Sequence, residues 1–326
     1  MHSLFLSAML VLLPTADGVA VDRQLPIGAS GQIGCLNNPT LLDRLEIAKP
    51  GIYENYLIDA HWARSNIVKI TANNVTLRNC EIHSGTGNGI GVFGSNVVIE
   101  NCRIHHMLAG TYLNQRDAHG ITGHWGNLTI RNCDIAYVSG DSVQFDPDRQ
   151  SQGKLTIEQC TFWTGPLPAD AAGFKKGQRP GENAIDTKTR PTGERCELLV
   201  QGCYFHGWNQ PGQIMNMAAL NIKEHVHARI EQCLLRDSEN ALRLRGPGKR
   251  GDARVEISDC AIYDCRVGVR IEDKIRDLKL ERLGFGKGVE RNLREVGGGA
   301  GPGFVNTGEY VAPPWETLLK TGFSPR

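Results

Sequence analysis

Apolar and polar residues alternate along most of this chain in a pattern that ends each time at a cysteine. It first reads Val75-Thr-Leu-Arg-Asn-Cys80-Glu-Ile82, and the last copy, Leu278-Lys-Leu-Glu-Arg-Leu283-Gly-Phe285, has leucine in the cysteine position. The copies between them place the cysteine at Cys102, Cys133, Cys160, Cys203, Cys233 and Cys260. A period of two puts alternate side chains on opposite faces. Each copy is therefore predicted to be a short β-strand.

The copies recur at intervals of about 22 to 43 residues. A repeat of this length built on short strands is typical of a solenoid. Leucine-rich repeats have a similar period, but few segments here show the helical spacing that their turns usually carry. The sequence thus predicts an all-β fold, a single-stranded right-handed parallel β-helix.

The residue before each cysteine is suited to a sharp bend. It is Asn79, Asn101, Asn132, Gln159, Gly202, Gln232 and Asp259 in turn. Asparagine, glycine and aspartate tolerate a left-handed backbone, and stacked amides can hydrogen-bond from coil to coil. We expect the seven cysteines to form a buried ladder of free thiols inside this bend, because cysteine behaves as a small hydrophobe. Cys35, Cys196 and Cys265 lie outside the ladder, and their pairing is left open.

The repeat divides the chain into four parts. Residues 1–20, with an apolar run from Leu4 to Leu13, resemble a signal peptide, which predicts a secreted or periplasmic protein. Residues 21–70 are predicted to form an N-terminal cap and first coil, with a short amphipathic capping helix over 39–48. The coils occupy 71–290. A glycine-rich linker from Gly297 to Gly303 and a capping tail follow in 291–326.

Charge and hydropathy exclude two classes of partner. The formal net charge is +1, so bulk charge does not indicate a nucleic-acid binder. The apolar run near the start is too short to cross a bilayer, and no later segment is long and apolar enough, so no membrane span is expected. We expect a monomer.

A second strand follows each cysteine copy, and its outward positions are polar. Stacked coils would bring them into three columns along the solenoid, with neighbours about 4.8 Å apart. The first column is Thr122, Gln144, Asp186, Asn221, Arg243 and Arg270; the second is His124, Asp146, Lys188, Lys223, Arg245 and Glu272; the third is Asn88, His119, Asp141, Asn183 and Asn240. The long insertion between Cys160 and Cys203 would form a wall beside this strip. Substrate contacts are expected from His119, His124, Gln144, Asn221 and Arg270.

The string Glu182-Asn-Ala-Ile-Asp-Thr-Lys188-Thr resembles the central motif of the chondroitinase B and alginate lyase family of β-helix polysaccharide lyases. In that family an acidic residue precedes the catalytic lysine by five positions, the spacing of Asn183 and Lys188 here. One coil later, Lys223 stands where the family has a functional arginine. The family's calcium-binding glutamates correspond to Gly181 and Asn183.

The resemblance implies β-elimination on a uronic-acid polymer, an acidic polysaccharide. Lys188, Lys223, Arg243 and Arg245 are the catalytic candidates. We expect like charge from the neighbouring cations to lower the pKa of Lys188. Pectate lyases share the architecture and use clustered aspartates for calcium, so Ca²⁺ is the expected cofactor if there is one. Its ligands would be Asp141, Asp146, Asn183 and Asp186.

Two other functions stay open. A glycoside hydrolase or epimerase on the same scaffold would need a carboxylate pair, for which Asp146 and Asp186 are the candidates. A non-catalytic carbohydrate-binding or surface protein would carry the same columns as a solvated face whose ion pairs contribute little.

Overall fold

The computed structural model describes residues 27–124, 126–145, 153–189, 193–210, 214–215, 217–248 and 252–323. The predicted leader lies outside these residues. The strands are β1 (Thr40–Leu42), β2 (Leu45–Ile47), β3 (Gly51–Glu54), β4 (Tyr56–Ala63), β5 (Val68–Ile70), β6 (Val75–Arg78), β7 (Glu81–Gly85), β8 (Ile90–Val92), β9 (Val97–Glu100), β10 (Arg103–Met107), β11 (Ala109–Thr111), β12 (Asn114–Arg116), β13 (Ile121–Gly123), β14 (Asn127–Arg131), β15 (Asp134–Val138), β16 (Val143–Phe145), β17 (Lys154–Glu158), β18 (Thr161–Trp163), β19 (Asn183–Thr187), β20 (Cys196–Gln201), β21 (Tyr204–His206), β22 (Ala218–Ile222), β23 (Val226–Glu231), β24 (Leu234–Arg245), β25 (Arg254–Ser258), β26 (Ala261–Glu272), β27 (Lys279–Glu281), β28 (Gly284–Phe285), β29 (Leu293–Val296), β30 (Val305–Thr307) and β31 (Tyr310–Val311). One helix, α1 (Trp315–Thr321), ends the described chain.

These strands stack as the coils of a right-handed parallel β-helix with three faces, which confirms the predicted fold. The repeat face holds β3, β6, β9, β14, β17, β20, β23, β25, β27 and β30. The middle face holds β1, β4, β7, β10, β15, β18, β21, the first halves of β24 and β26, β28 and β31. The groove face holds β2, β5, β8, β13, β16, β19, β22, the second halves of β24 and β26, and β29.

The bend between the repeat and middle faces is built as predicted. Asn79, Asn101 and Asn132 have φ of 52°, 53° and 50°, in the left-handed region. The amide of Asn132 donates to Oδ1 of Asn101 at 2.7 Å, and Asn101 donates to Asn79 at 3.2 Å. The seven ladder cysteines are buried, and all ten cysteines of the chain are free thiols. The side-chain amides therefore link the coils along the turn while the thiols fill the core behind it.

The predicted capping helix over 39–48 is wrong, because this segment forms strands β1 and β2. Leu42 pairs with Ile58, and Ile47 pairs with Ile70. Leu42, Leu45 and Ile47 turn toward the core, whereas Leu41 is 70% exposed. Hydrogen bonding to the next coil satisfies the backbone of this segment, and this outweighs its helical spacing of apolar residues.

The C-terminal region also differs from the prediction. β29, β30 and β31 form a last coil, so the stretch from Gly297 to Gly303 is a turn within that coil and not a linker. α1 packs on the side of the middle face, where Leu318 and Phe323 contact the cluster of Leu234, Ala261 and Tyr263. The tail thus covers outward apolar side chains of β24 and β26 instead of closing the end of the core.

Candidate active-site groove

The groove face carries the first polar column in the predicted order. Adjacent coils pair Thr122 with Gln144, Gln144 with Asp186, and Asp186 with Asn221. The same column continues through Arg243, Arg270 and Arg294. The flanking positions of each strand point into the core, which leaves this column to form the floor of a groove that runs along the solenoid.

Two insertions form one wall of the groove. The hairpin of β11 and β12 and the loop over 165–181 share a small apolar cluster of Leu108, Leu167 and Phe174. The side chain of Gln115 accepts a hydrogen bond of 2.9 Å from the backbone of Gly181. Arg179 pairs with Asp237 at 3.0 Å. The loop over 165–181 is therefore fixed against the solenoid beside the centre of the polar strip, as a groove wall would be.

Asp186 organises the centre of the floor. Nζ of Lys223 lies 2.9 Å from its carboxylate, and the amide of Asn221 donates to Oδ1 at 2.9 Å. Nζ of Lys188 lies 4.0 Å from Oδ2 and donates to Oε1 of Gln144 at 2.7 Å. Two predicted catalytic lysines and two predicted substrate-binding amides thus meet around one carboxylate that is 1% exposed.

The predicted direction of the Lys188 pKa is wrong. Burial by itself would lower this pKa, but the carboxylates around Lys188, with Asp186 contributing most, outweigh the effect of burial. Asp117 and Glu182 add to the rise, and the pKa lies above the ordinary lysine value. The carboxylates of the groove therefore determine the protonation of Lys188, which is an ammonium at neutral pH.

Glu182 is the titratable residue of this centre that the sequence reasoning did not select. It directly precedes β19, after the wall loop. Burial and the charges of Asp186 and Asp117 raise its pKa, while Lys188 and Lys223 partly oppose the rise. A partly exposed carboxyl group with a raised pKa is suited to proton transfer. Its position six residues before Lys188, at the end of the longest insertion, is the sequence feature that could have identified it as a site residue.

Three members of the third predicted column, Asp141, Asn183 and Asn240, lie beneath the floor and support the turn between the middle and groove faces, whereas Asn88 and His119 border the groove toward its N-terminal end. His119 Nδ1 accepts from the backbone N–H of Asp141 at 3.0 Å, and Asp141 Oδ1 accepts from the amide of Asn183 at 2.8 Å. Asn183 in turn accepts from the backbone of Ala218 at 3.3 Å. These three side chains are at most 5% exposed. Asp141 and Asn183 therefore hold the coils together rather than facing the groove.

Burial, followed by the charges of Asp186 and Glu182, raises the pKa of Asp141 well above its ordinary range. Its Oδ2 atom has no hydrogen-bond partner and lies 3.7 Å from His119 Nδ1. Because Nδ1 of His119 accepts a hydrogen bond, the ring proton of neutral His119 is on Nε2. The buried site thus favours the protonated form of Asp141.

Three arginines surround one carboxylate toward the C-terminal end of the groove. Arg243 makes a two-pronged ion pair with Glu272, at 3.0 and 3.2 Å. Arg245 lies 3.3 Å from the same carboxylate, and Arg270 pairs with it as well. Hydrogen bonds and charge from Arg243 and Arg270 overcome burial and hold the pKa of Glu272 below its usual value. With three cations around one anion, this region, here called the arginine end, carries a net positive charge.

The described candidates for a calcium site do not fit that ion. Both oxygens of Asp186 face N–H donors of Lys223 and Asn221, and Asn183 uses its carbonyl for Ala218. Within the described ranges, no group of three or more His, Cys, Asp or Glu side chains is arranged to hold a metal ion. Asp146, the fourth candidate, lies outside those ranges. Asp141 Oδ2 is one unsatisfied oxygen, whereas Ca²⁺ takes six to eight.

Comparisons with known proteins agree on the fold. A family model described as "Right handed beta helix region" matches residues 52–174. The structure is similar to that of an alginate lyase from Paenibacillus sp. str. FPU-7, with a TM-score of 0.50 and 12% identity over 81% of this chain and 93% of that one. No curated protein matches the sequence.

Two further solved structures share the architecture at lower similarity. The A-module of the mannuronan C-5 epimerase AlgE4 from Azotobacter vinelandii has a TM-score of 0.44 and 11% identity, over 87% of this chain and 84% of that one. Pectate lyase Pel9A has a TM-score of 0.40 and 11% identity, over 76% of this chain and 52% of that one. At 12% identity, the likeness to the alginate lyase shows the fold alone. Across the described residues, no helix is long and apolar enough to cross a membrane.

Proposed function

We propose that this β-helix protein is a secreted or periplasmic lyase that cleaves an acidic polysaccharide by β-elimination. One observation carries the proposal. The paired lysines at Asp186 and the arginine end lie in consecutive coils of a single open groove, where Asn221 is followed directly by Arg243. A solved structure that shares this fold at a TM-score of 0.50 is an alginate lyase, which supports the proposal.

The arginine end supplies what elimination requires first. A uronate carboxylate must be neutralised before the neighbouring carbon can release its proton. Arg243 and Arg245 keep part of their side chains exposed while held by Glu272. Guanidinium groups bind carboxylates through two parallel hydrogen bonds, and a fixed pair of them neutralises the charge without a metal ion.

Proton transfer is assigned to Glu182 and Lys188. Glu182, whose pKa is raised, takes the proton from the carbon next to the uronate carboxylate. Lys188 begins as an ammonium because its own pKa is raised, and it donates a proton to the departing glycosidic oxygen. Lys223 stays paired with Asp186 and adds positive charge beside the enolate that forms.

The test is ultraviolet absorbance during incubation with a panel of uronic-acid polysaccharides. Elimination leaves an unsaturated sugar that absorbs, and the signal should disappear in Lys188→Ala. Lys154→Ala is the matched control, because Lys154 is exposed on the repeat face. An absorbance rise that persists in Lys188→Ala would remove Lys188 from the reaction.

A glycoside hydrolase remains the second candidate, for one reason. Glu182 with a raised pKa and Asp186 as an ionised carboxylate have the unequal environments of a hydrolytic acid and base. If new reducing ends appeared without a rise in ultraviolet absorbance, the result would favour the glycoside hydrolase over the lyase. The absence of both products on every polymer, with an intact fold, would favour a binding role.

A further inference from the structure

The groove deepens into a cleft of about 290 Å³ on the N-terminal side of Lys188. The cleft is lined by Asn66, Asn88, Phe93, Asp117, His119, Thr122, Gly123, His124 and Gln144. It begins where the floor column passes from Gln144 to Thr122 and then to Gly91. The cleft and the arginine end are thus two ends of one groove with the lysines between them.

Two glycines occupy tightly packed positions beside this cleft. Gly91 occupies an outward position of the floor column, and a Cβ there would lie 2.4 Å from the amide nitrogen of Asn66. Gly123 has φ of 137°, and a Cβ on it would lie 2.0 Å from the backbone oxygen of Val92. Side chains at these positions would displace the amide of Asn66 or the strand itself. The cleft is therefore a built feature of this face.

The lining presents hydrogen-bonding groups without net positive charge. The amide of Asn88 donates to Asn66 at 3.0 Å and accepts from the backbone of His119 at 3.0 Å, so both asparagines are held in place. The rings of Phe93 and His124 meet edge to face, with centroids 5.1 Å apart. Amides with an aromatic wall match a sugar ring, whose hydroxyls need hydrogen bonds and whose C–H face packs on aromatic carbon.

Charge distinguishes the cleft from the arginine end. The described lining contains no lysine or arginine, and it includes Asp117, whose side chain is 65% exposed. A uronate placed here would meet the like charge of Asp117, and the ammonium of Lys188 at the cleft's edge is already shared between the carboxylates of Asp186 and Asp117. Thr122 and Arg243 are four coils apart along the floor, about 19 Å at the usual strand spacing.

We propose that the cleft is a subsite for an uncharged sugar residue, so that the groove binds a heteropolymer with uronate at the arginine end and uncharged sugar in the cleft. The inference rests on the proposed function for the identity of the polymer. The two ends also give the bound chain a single direction, because reversal would bring uronate to Asp117 and uncharged sugar to the arginines.

The test is calorimetric titration of the full chain with uncharged xylo-, manno- and galacto-oligosaccharides and with homo-oligouronides. At least one uncharged series should bind with an affinity that does not change with salt, since no ion pair forms. Phe93→Ala should weaken this binding at least tenfold, and Phe93→Leu, which keeps most of the packing, should weaken it less. Arg270→Ala should reduce oligouronide affinity, and Lys154→Ala, at an exposed position on the repeat face, should leave both affinities unchanged.

Asp117→Asn provides a gain-of-binding arm. It should raise the affinity for homo-oligouronides several-fold, because it removes the like charge from the cleft. The inference is overturned if no uncharged oligosaccharide binds, if Phe93→Ala has no effect on such binding, or if Asp117→Asn leaves oligouronide affinity unchanged. Elimination is measured separately. Uncharged-sugar binding without elimination on any polymer would refute the proposed function and leave the subsite standing.

Discussion

Lys188 donates a hydrogen bond of 2.7 Å from Nζ to Oε1 of Gln144, which lies in the preceding coil of the groove floor. The ammonium therefore leans from its own coil toward the cleft, although Asp186, 4.0 Å away, lies in β19, which ends one residue before Lys188. This hydrogen bond fixes where Lys188 can deliver a proton along the groove.

Loss of the Gln144 contact should slow elimination. We expect Gln144→Leu to lower kcat about tenfold, because one hydrogen bond of about 1.4 kcal/mol no longer positions the ammonium. Steady-state absorbance kinetics would measure the change, and Gln144→Glu is the companion variant. The added charge should raise the pKa of Lys188 further and move the alkaline limb of the pH profile upward. An unchanged kcat in Gln144→Leu would argue against positioning by this contact.

The pH dependence follows from two raised pKa values. Activity should rise as Glu182 loses its proton, with a midpoint above the ordinary glutamate value, and decline only above the ordinary lysine value, where Lys188 loses its proton. Initial rates across the pH range would show this bell. Glu182→Gln should remove at least about a hundredfold of activity. A rate that instead climbs through the alkaline range would make neutral Lys188 the base.

Replacement of Asp141 by asparagine should stabilise the protein at neutral pH. The folded-state pKa of Asp141 is raised, so its contribution to stability is complete below the unfolded pKa and is lost as the pH rises through the folded pKa. Asp141→Asn avoids this loss and keeps an oxygen for the amide of Asn183. Thermal melts should show a higher Tm than wild type at neutral pH, with the difference vanishing below pH 4. Equal Tm values at both pH values would exclude the effect.

Asparagine at the bend contributes to stability in two ways, by tolerating the left-handed backbone and by hydrogen bonding through its side chain. Two substitutions separate these contributions. Asn132→Ala should destabilise by at least about 2 kcal/mol, because alanine bears the left-handed backbone strain and the side-chain hydrogen bonds to Asn101 and Ser30 are lost. Asn132→Gly loses the same hydrogen bonds but tolerates the backbone, so it should cost about 1 kcal/mol less than alanine. Urea denaturation would give both values. Equal losses in the two variants would mean that backbone strain is negligible at this bend.

Removal of divalent cations tests the arginine end directly. If Arg243 and Arg245 neutralise the substrate carboxylate, a chelator should leave the elimination rate unchanged, whereas Arg243→Ala should reduce it by at least tenfold. Arg229→Ala on the repeat face is the control. Activity that is lost in chelator and restored by Ca²⁺ would return the metal to the reaction.

The sequence alone was sufficient to predict the β-helix coil, the bend before each cysteine and the order of residues in the floor column. Asn132 before Cys133 repeats a local requirement, a left-handed residue followed by a small buried one, and seven coils meet that requirement at the same two positions. Stacking of equivalent strands then aligns Gln144 with Asp186 and Asn221, because parallel neighbours keep their register. Local alternation and the repeat together determine these relationships.

Only the tertiary structure decided which charged side chains lie close together and which segments form the coils at the two ends of the solenoid. Asp117 follows a hairpin and Glu182 a long loop, so their closeness to Lys188 depends on how those insertions pack on Leu108 and Phe174. This reversed the predicted shift of the Lys188 pKa. The segment over 39–48 formed strands because the next coil offered backbone partners. Electrostatic environment and edge pairing depend on long-range contacts, which a local repeat does not encode.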